Sequence, residues 1–142
     1  MIIGIDFDGT CVSHEFPKVG KDIGAVPILK KLVENGHKLI LFTMRSNSKN
    51  HKGHSDEVPK VHTGPFLDDA VNWFKENDLP LYGIQTNPTQ KSWTTSPKAY
   101  CHLYIDDAAL GCPLVFNGEI SDRFFVNWHK VEFKLKEMRL ID

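Results

Sequence analysis

The sequence places two aspartates, Asp6 and Asp8, in the run Ile2-Ile3-Gly4-Ile5-Asp6-Phe7-Asp8-Gly9-Thr10, and a sparser set of reactive groups farther on: Thr43, Lys98, Asp106 and Asp107. Two carboxylates held close together cannot both stay charged without a cation or a shared proton. A bound Mg²⁺ is one solution, because it takes few carboxylates and keeps waters or phosphate oxygens as its other ligands. A shared proton is another, and it would set a nucleophile beside a proton donor. A third reading needs no chemistry: an Asp-Gly turn closes a strand, and its acids bond the local backbone. The lysine and the hydroxyl add groups suited to holding phosphoryl oxygens. Together the set makes a coherent phosphoryl-transfer site, since that chemistry is mainly positioning and charge neutralisation.

These side chains need elements to bring them together, and the sequence supplies candidates. The branched apolar run 2–5 reads as a buried parallel strand, with Asp6 and Asp8 at its carboxyl end. Strand alternation would turn both acids to one side and Phe7 into packing. Residues 11–24 are rich in Gly, Pro and charge and read as a loop or small hairpin. A helix is predicted over 26–35, with Pro27 in its first turn and Asn35-Gly36 as its stop. A strand over 38–42 follows and delivers Thr43, Met44 and Arg45, completing a parallel strand-helix-strand unit. Residues 46–64 hold three Lys, three His, three Ser and two Asn with almost nothing apolar, which predicts a mobile polar excursion. Beyond it come a helix over 66–77, a strand over 81–84, a loop over 85–96, and a strand over 101–105 ending in Asp106-Asp107. An edge strand over 114–116 and a last helix over 123–139, with Phe124, Trp128, Val131 and Leu135 at helical spacing, complete the reading. A parallel sheet brings all the strand ends to one rim, where open α/β folds bind ligands.

On these residues the chain resembles the haloacid dehalogenase superfamily of hydrolases over nearly its whole length. Asp6-Phe7-Asp8-Gly9-Thr10 is similar to the first motif of that family, Thr43 to the second, Lys98 to the third and Asp106-Asp107 to the fourth. The resemblance implies an α/β, Rossmann-like three-layer sandwich with a mostly parallel sheet in the strand order 5-4-1-2-3. It implies a Mg²⁺-dependent phosphomonoester hydrolase working through an aspartyl-phosphate. Asp6 would be the nucleophile and Asp8 the acid/base, with Thr43 and Lys98 completing the catalytic set. Mg²⁺ would be held by Asp6, the Asp8 carbonyl, and Asp106 or Asp107. Neither the gap from Asp6 to Thr43 nor that from Thr43 to Lys98 has room for a globular cap, so the chain resembles the capless branch. Gly9, Thr10, Met44, Arg45 and Trp93 are candidate substrate contacts. Arg45 would reach a substrate anion or pair with an acid; Trp93 stands in a loop before Lys98. Alternatives are a nucleotide or polynucleotide end phosphatase, and a phosphate-binding protein without turnover.

Other residues invite blander readings. His51, His54 and His62 could suggest zinc, but that loop has no cysteine, and a solvated polar loop is favoured. Cys11 reads as a packing bystander, and Asp68-Asp69 as acids suited to a helix start. Trp73 and Trp128 fit helix faces.

With 142 residues, 17 basic and 18 acidic, the chain is expected to be one domain with the 46–64 insertion. A net charge of −1 gives no footprint for a nucleic-acid partner, and a small phosphorylated substrate is expected instead. There is no stretch of membrane-spanning length and no signal-like opening. Three cysteines without close pairing suggest reduced thiols and a cytoplasmic setting.

Overall fold

The computed structural model describes residues 1–48 and 63–142. Its central sheet is four parallel strands: β1 (Ile2–Ile5), β2 (Lys38–Leu41), β5 (Leu81–Ile84) and β6 (Leu103–Ile105), in the spatial order β5-β2-β1-β6. Two short antiparallel ribbons lie outside it, β3 (Asn47–Ser48) with β4 (Gly64–Pro65) and β7 (Leu114–Val115) with β8 (Phe125–Val126). Three helices complete the fold: α1 (Ala25–Glu34), α2 (Phe66–Glu76) and α3 (Trp128–Glu137).

Alternation assigns the two faces of the sheet. Ile3, Ile5, Leu39 and Leu41 point one way, into a core filled by Ile28, Leu29 and Leu32 of α1, Ala70 and Phe74 of α2, and Trp128, Val131 and Leu135 of α3. Ile40 points the other way, with Ile2, Phe42, Tyr82 and Tyr104, and is covered by Ala99 and Cys101. The connection from β5 to β6 crosses β2 and β1, and right-handedness sends such a crossover to the face opposite the helices. It carries only a short 3₁₀ turn, Gln90–Ser92, so the expected third layer is an irregular segment and not a helical one.

Two further expectations are corrected. The predicted edge strand over 114–116 does not extend the main sheet beside β6. Leu114 and Val115 pair instead with Val126 and Phe125. That pairing shortens the predicted last helix, which starts at Trp128 behind the Asn127 side chain, an acceptor for the Lys130 N–H. Phe124 lies outside the helix and is exposed. Trp128, Val131 and Leu135 do line its buried face. Most of the 46–64 excursion, including His51, His54 and His62, lies outside the described residues.

Register sets the rim. Ile5 is level with Leu41 and Ile105, and Leu41 with Ile84, so all four strands finish together. The residues immediately beyond are Asp6, Phe42, Gln85 and Asp106, with Thr43 one residue on.

Candidate active site

Parallel pairing carries on one residue past β1 and β6: Asp6 N donates to Ile105 O at 3.0 Å. Asp6 and Asp106 are thereby held side by side at the rim. One carboxylate oxygen from each of Asp6, Asp106 and Asp107 lies within 4.8 Å of the others. Burial and the neighbouring charges of Asp106 and Asp107 push the Asp6 carboxyl up to about 8, against the opposing hydrogen bond from Thr10. Burial, followed by the charge of Asp107, also raises Asp106 above its ordinary value. Three hard oxygen donors that destabilise one another's charge are a donor set suited to a small divalent cation.

Beyond Ile5 the strand gives way to a tight turn. The amides of Thr10 and Cys11 both donate to Phe7 O, at 3.1 and 2.8 Å, and Gly9 takes φ +80°. Alternation lapses there, which corrects the expectation that the Asp6 and Asp8 side chains turn to one side. Phe7 enters the core as expected, but Asp8 swings to Arg45. Arg45 Nη2 donates to Asp8 Oδ1 at 2.7 Å and Arg45 Nε to Oδ2 at 2.8 Å, a two-point pair. Arg45 is 3% exposed and also donates to the carbonyls of Pro17, Lys18 and Phe66. Its guanidinium sits between the rings of Phe7 and Phe16. Arg45 is thus a buried staple between the Asp8 turn, the loop before α1 and the start of α2.

Thr43 stands at the end of β2, where Gln85 grips the chain from the neighbouring strand. The Thr43 N–H donates to Gln85 Oε1, and Gln85 Nε2 donates to the carbonyls of Thr43 and Arg45. The Thr43 hydroxyl accepts from Arg45 N at 3.1 Å, which leaves its own hydrogen available to a ligand. Lys98 arrives from the irregular segment on the second face. It is exposed, its Nζ lies 5.4 Å from the centre of the Tyr104 ring, and it makes no ion pair among the described residues. With Gly4, Asp6, Phe42, Tyr104 and Asp106 it lines a cavity of about 240 Å³.

The remaining sequence candidates separate. Thr10 is buried and donates to Asp6 Oδ2 at 2.8 Å, while accepting from Asp107 N at 3.0 Å. Gly9 sits against Asp107 and His14, with no room for a Cβ. Met44 is 97% exposed. Trp93 packs edge-on against Tyr100, which in turn meets His102 near the amino end of β1, and it does not line the acid cavity. Cys11 lies beneath the site with its thiol donating to Asp6 O, and burial together with the two aspartates holds that thiol protonated. Such a thiol is a poor nucleophile.

The fold is shared. A solved structure of a conserved protein coded by a locus from Bacteroides thetaiotaomicron is similar to this chain, with a TM-score of 0.70 and 28% identity. The match covers 97% of this chain and 91% of that one. No protein-family model matches the chain, and no curated protein matches it. Among the described residues, no helix is long and apolar enough to cross a membrane.

Sequence reasoning missed two residues of the site. Gln85 adopts φ +65° at the rim, and nothing in a loop reading marks it as a clamp. His14 lies 2.7 Å from Asp107 Oδ2 across 93 residues of chain. A lone histidine in a Gly- and Pro-rich loop carries no spacing signal.

Proposed function

We propose that the chain is a capless member of the haloacid dehalogenase superfamily, hydrolysing phosphomonoesters with Mg²⁺ through a phosphorylated Asp6. The convergence of Asp6, Asp106 and Asp107 at the rim, with Lys98 lining a cavity beside Asp6 and Asp106 and Thr43 at the neighbouring strand end, carries this reading. In it, Asp6, the Asp8 carbonyl and one of Asp106 and Asp107 would hold the cation, which would supply charge neutralisation for the acids and the phosphoryl oxygens. Thr10 donates to Asp6 Oδ2; one Asp6 oxygen would ligate the cation, and the other is the nucleophile. It forms the bond to phosphorus as the ester oxygen leaves. Thr43 donates to a phosphoryl oxygen, and Lys98, with a flexible stem and no ion pair among the described residues, turns from Tyr104 to another. Asp8 protonates the leaving oxygen and later takes a proton from the water that hydrolyses the acyl-phosphate. To do so it gives up at least one of its hydrogen bonds from Arg45. A small phosphorylated metabolite in a cytoplasmic setting is the matching substrate class.

The Asp8–Arg45 pair favours one second reading, a phosphate-binding protein without turnover, because both Asp8 oxygens are engaged. One experiment separates the two. Purified protein is assayed with p-nitrophenyl phosphate and Mg²⁺, alongside Asp6→Asn, with intact-mass measurement after acid quench. Turnover and a phosphoryl adduct in the wild type, both absent in Asp6→Asn, support the hydrolase. Phosphate binding without turnover supports the second reading, and neither activity nor binding overturns both.

A further inference from the structure

The three clustered acids have a common arrangement: each has one oxygen already engaged by the protein. Thr10 Oγ1 donates to Asp6 Oδ2 at 2.8 Å, and Ala108 N donates to Asp106 Oδ1 at 2.8 Å. His14 Nε2 stands 2.7 Å from Asp107 Oδ2, and since an ionised carboxylate can only accept, the imidazole is the donor. A long 3.4 Å contact from Thr10 Oγ1 to Asp107 Oδ1 does not compete, because the single hydroxyl hydrogen goes to the closer Asp6. Each acid therefore keeps one oxygen that no hydroxyl, amide or imidazole holds. The site offers separate single-oxygen ligands and no ready two-oxygen clamp.

Two of these tethers are local, reaching two and four residues along the chain, and follow from the turns themselves. The third is built from afar. Gly9 makes room for it: a Cβ there would lie 2.0 Å from His14 Nε2 and 2.5 Å from Asp107 Oδ2. The chain before His14 is pinned, with the buried Ser13 exchanging hydrogen bonds with Lys21 through both its backbone and its hydroxyl. Only 15% of the His14 side chain and 16% of that of Asp107 are exposed.

Mg²⁺ is small, holds near-octahedral geometry and keeps waters, whereas Ca²⁺ takes six to eight oxygens and readily binds a carboxylate through both. We infer that His14 sets the cation preference of this cluster, holding Asp107 to single-oxygen ligation and so favouring Mg²⁺ over Ca²⁺. The inference rests on the metal site of the proposed function. His14 acts here as a positioning residue and not as a ligand.

The test is calorimetric titration of the whole chain with Mg²⁺ and, separately, Ca²⁺. Wild type is compared with His14→Ala, His14→Gln and Asp6→Asn. Loss of a ligand's hydrogen-bond partner commonly costs about 10–100-fold in metal affinity. His14→Ala is expected to weaken Mg²⁺ within that range while Ca²⁺ weakens little or tightens, moving the Mg²⁺/Ca²⁺ ratio at least about 10-fold. His14→Gln, which keeps an N–H donor, should recover most of the ratio. His14→Leu fills the space without a donor and replaces the alanine variant if that one does not fold. Equal weakening of both ions, or an unchanged ratio, overturns the role of His14 and leaves the metal site standing. A wild type that binds neither ion, or whose binding survives Asp6→Asn, overturns the metal site and the His14 role with it.

Discussion

At the scale of single residues, the site is a set of charges whose partners decide what each can do. Asp6 titrates near 8 in the folded chain, well above the ordinary carboxylate value of 3.8. Between those values the unfolded chain has lost the proton that the folded chain still holds. Stability without metal therefore falls as pH rises from about 4 to about 8. Asp6→Asn removes that titration, so its melting temperature should exceed that of the wild type by about 3 °C or more at pH 8, and by less at pH 5. Mg²⁺ should close the gap at pH 8 by pairing with ionised Asp6. Parallel melting curves across this range, with and without Mg²⁺, would show that the acid cluster is not strained by its own charge. Arg45 makes the opposite case, a buried cation fully satisfied by one carboxylate and three carbonyls. Arg45→Met strands Asp8 and should cost about 3–5 kcal/mol in urea unfolding, as broken buried pairs do. Asp8→Asn in the same background should recover part of that loss. A cost below about 1 kcal/mol would return Arg45 to the role of a substrate contact.

The helices show how elements are ended, and how differently the same ending can be encoded. All three close with the same pair of backbone bonds, in which the second residue past the cap reaches back five residues and the first reaches back three. After α1 the left-handed position is Gly36, with His37 N bonded to Leu32 O. After α2 it is Asp78, with Leu79 N bonded to Phe74 O, and after α3 it is Arg139, with Leu140 N bonded to Leu135 O. Leu79 and Leu140 are buried, so each ending also turns an apolar side chain back into the core. Glycine adopts this conformation without the Cβ penalty that Arg139 and Asp78 carry. Arg139→Gly should therefore raise stability by about 0.5–1 kcal/mol, read as a higher urea midpoint at unchanged slope. A lower midpoint would mean that the Arg139 side chain contributes more than its backbone strain costs.

For the whole molecule, the placement of all three helices on one face makes the last of them indispensable. Trp128, Val131, Leu135, Leu140 and Ile141 close the core over β1 and β6. The Trp128 Nε1–H also donates to Thr10 O at 2.7 Å, tying this closure to the turn that carries the acids. Each large apolar side chain contributes about 1.5–3 kcal/mol on burial, so together they exceed or rival the 5–15 kcal/mol that holds a domain folded. Truncation after Asn127 should leave a chain without a cooperative melting transition, measured by circular dichroism. A retained transition would mean that the sheet and α1 and α2 form a core of their own.

The four strands of the central sheet, α1, α2 and the side chains at the strand ends were legible in the chain itself, because these depend on local chemistry. Ile2–Ile5 and Lys38–Leu41 are short apolar runs, Asn35-Gly36 and Leu79-Pro80 are stops, and the aspartates and Thr43 follow the strands directly. Other features depended on residues far apart in sequence that packing brings together. Where Asp8 points was decided by Arg45, 37 residues away, once the strand had ended and alternation no longer held. His14 became part of the site through Asp107, and the 114–116 strand found Phe125–Val126 in place of the sheet edge. The face opposite the helices received a loop because the segment between β5 and β6, with Pro88, Pro97 and hydroxyl residues, offers no apolar stripe for a helix to bury. Local pattern set which groups would reach the rim; which of them meet there was decided by the directions that long-range packing imposes on their side chains.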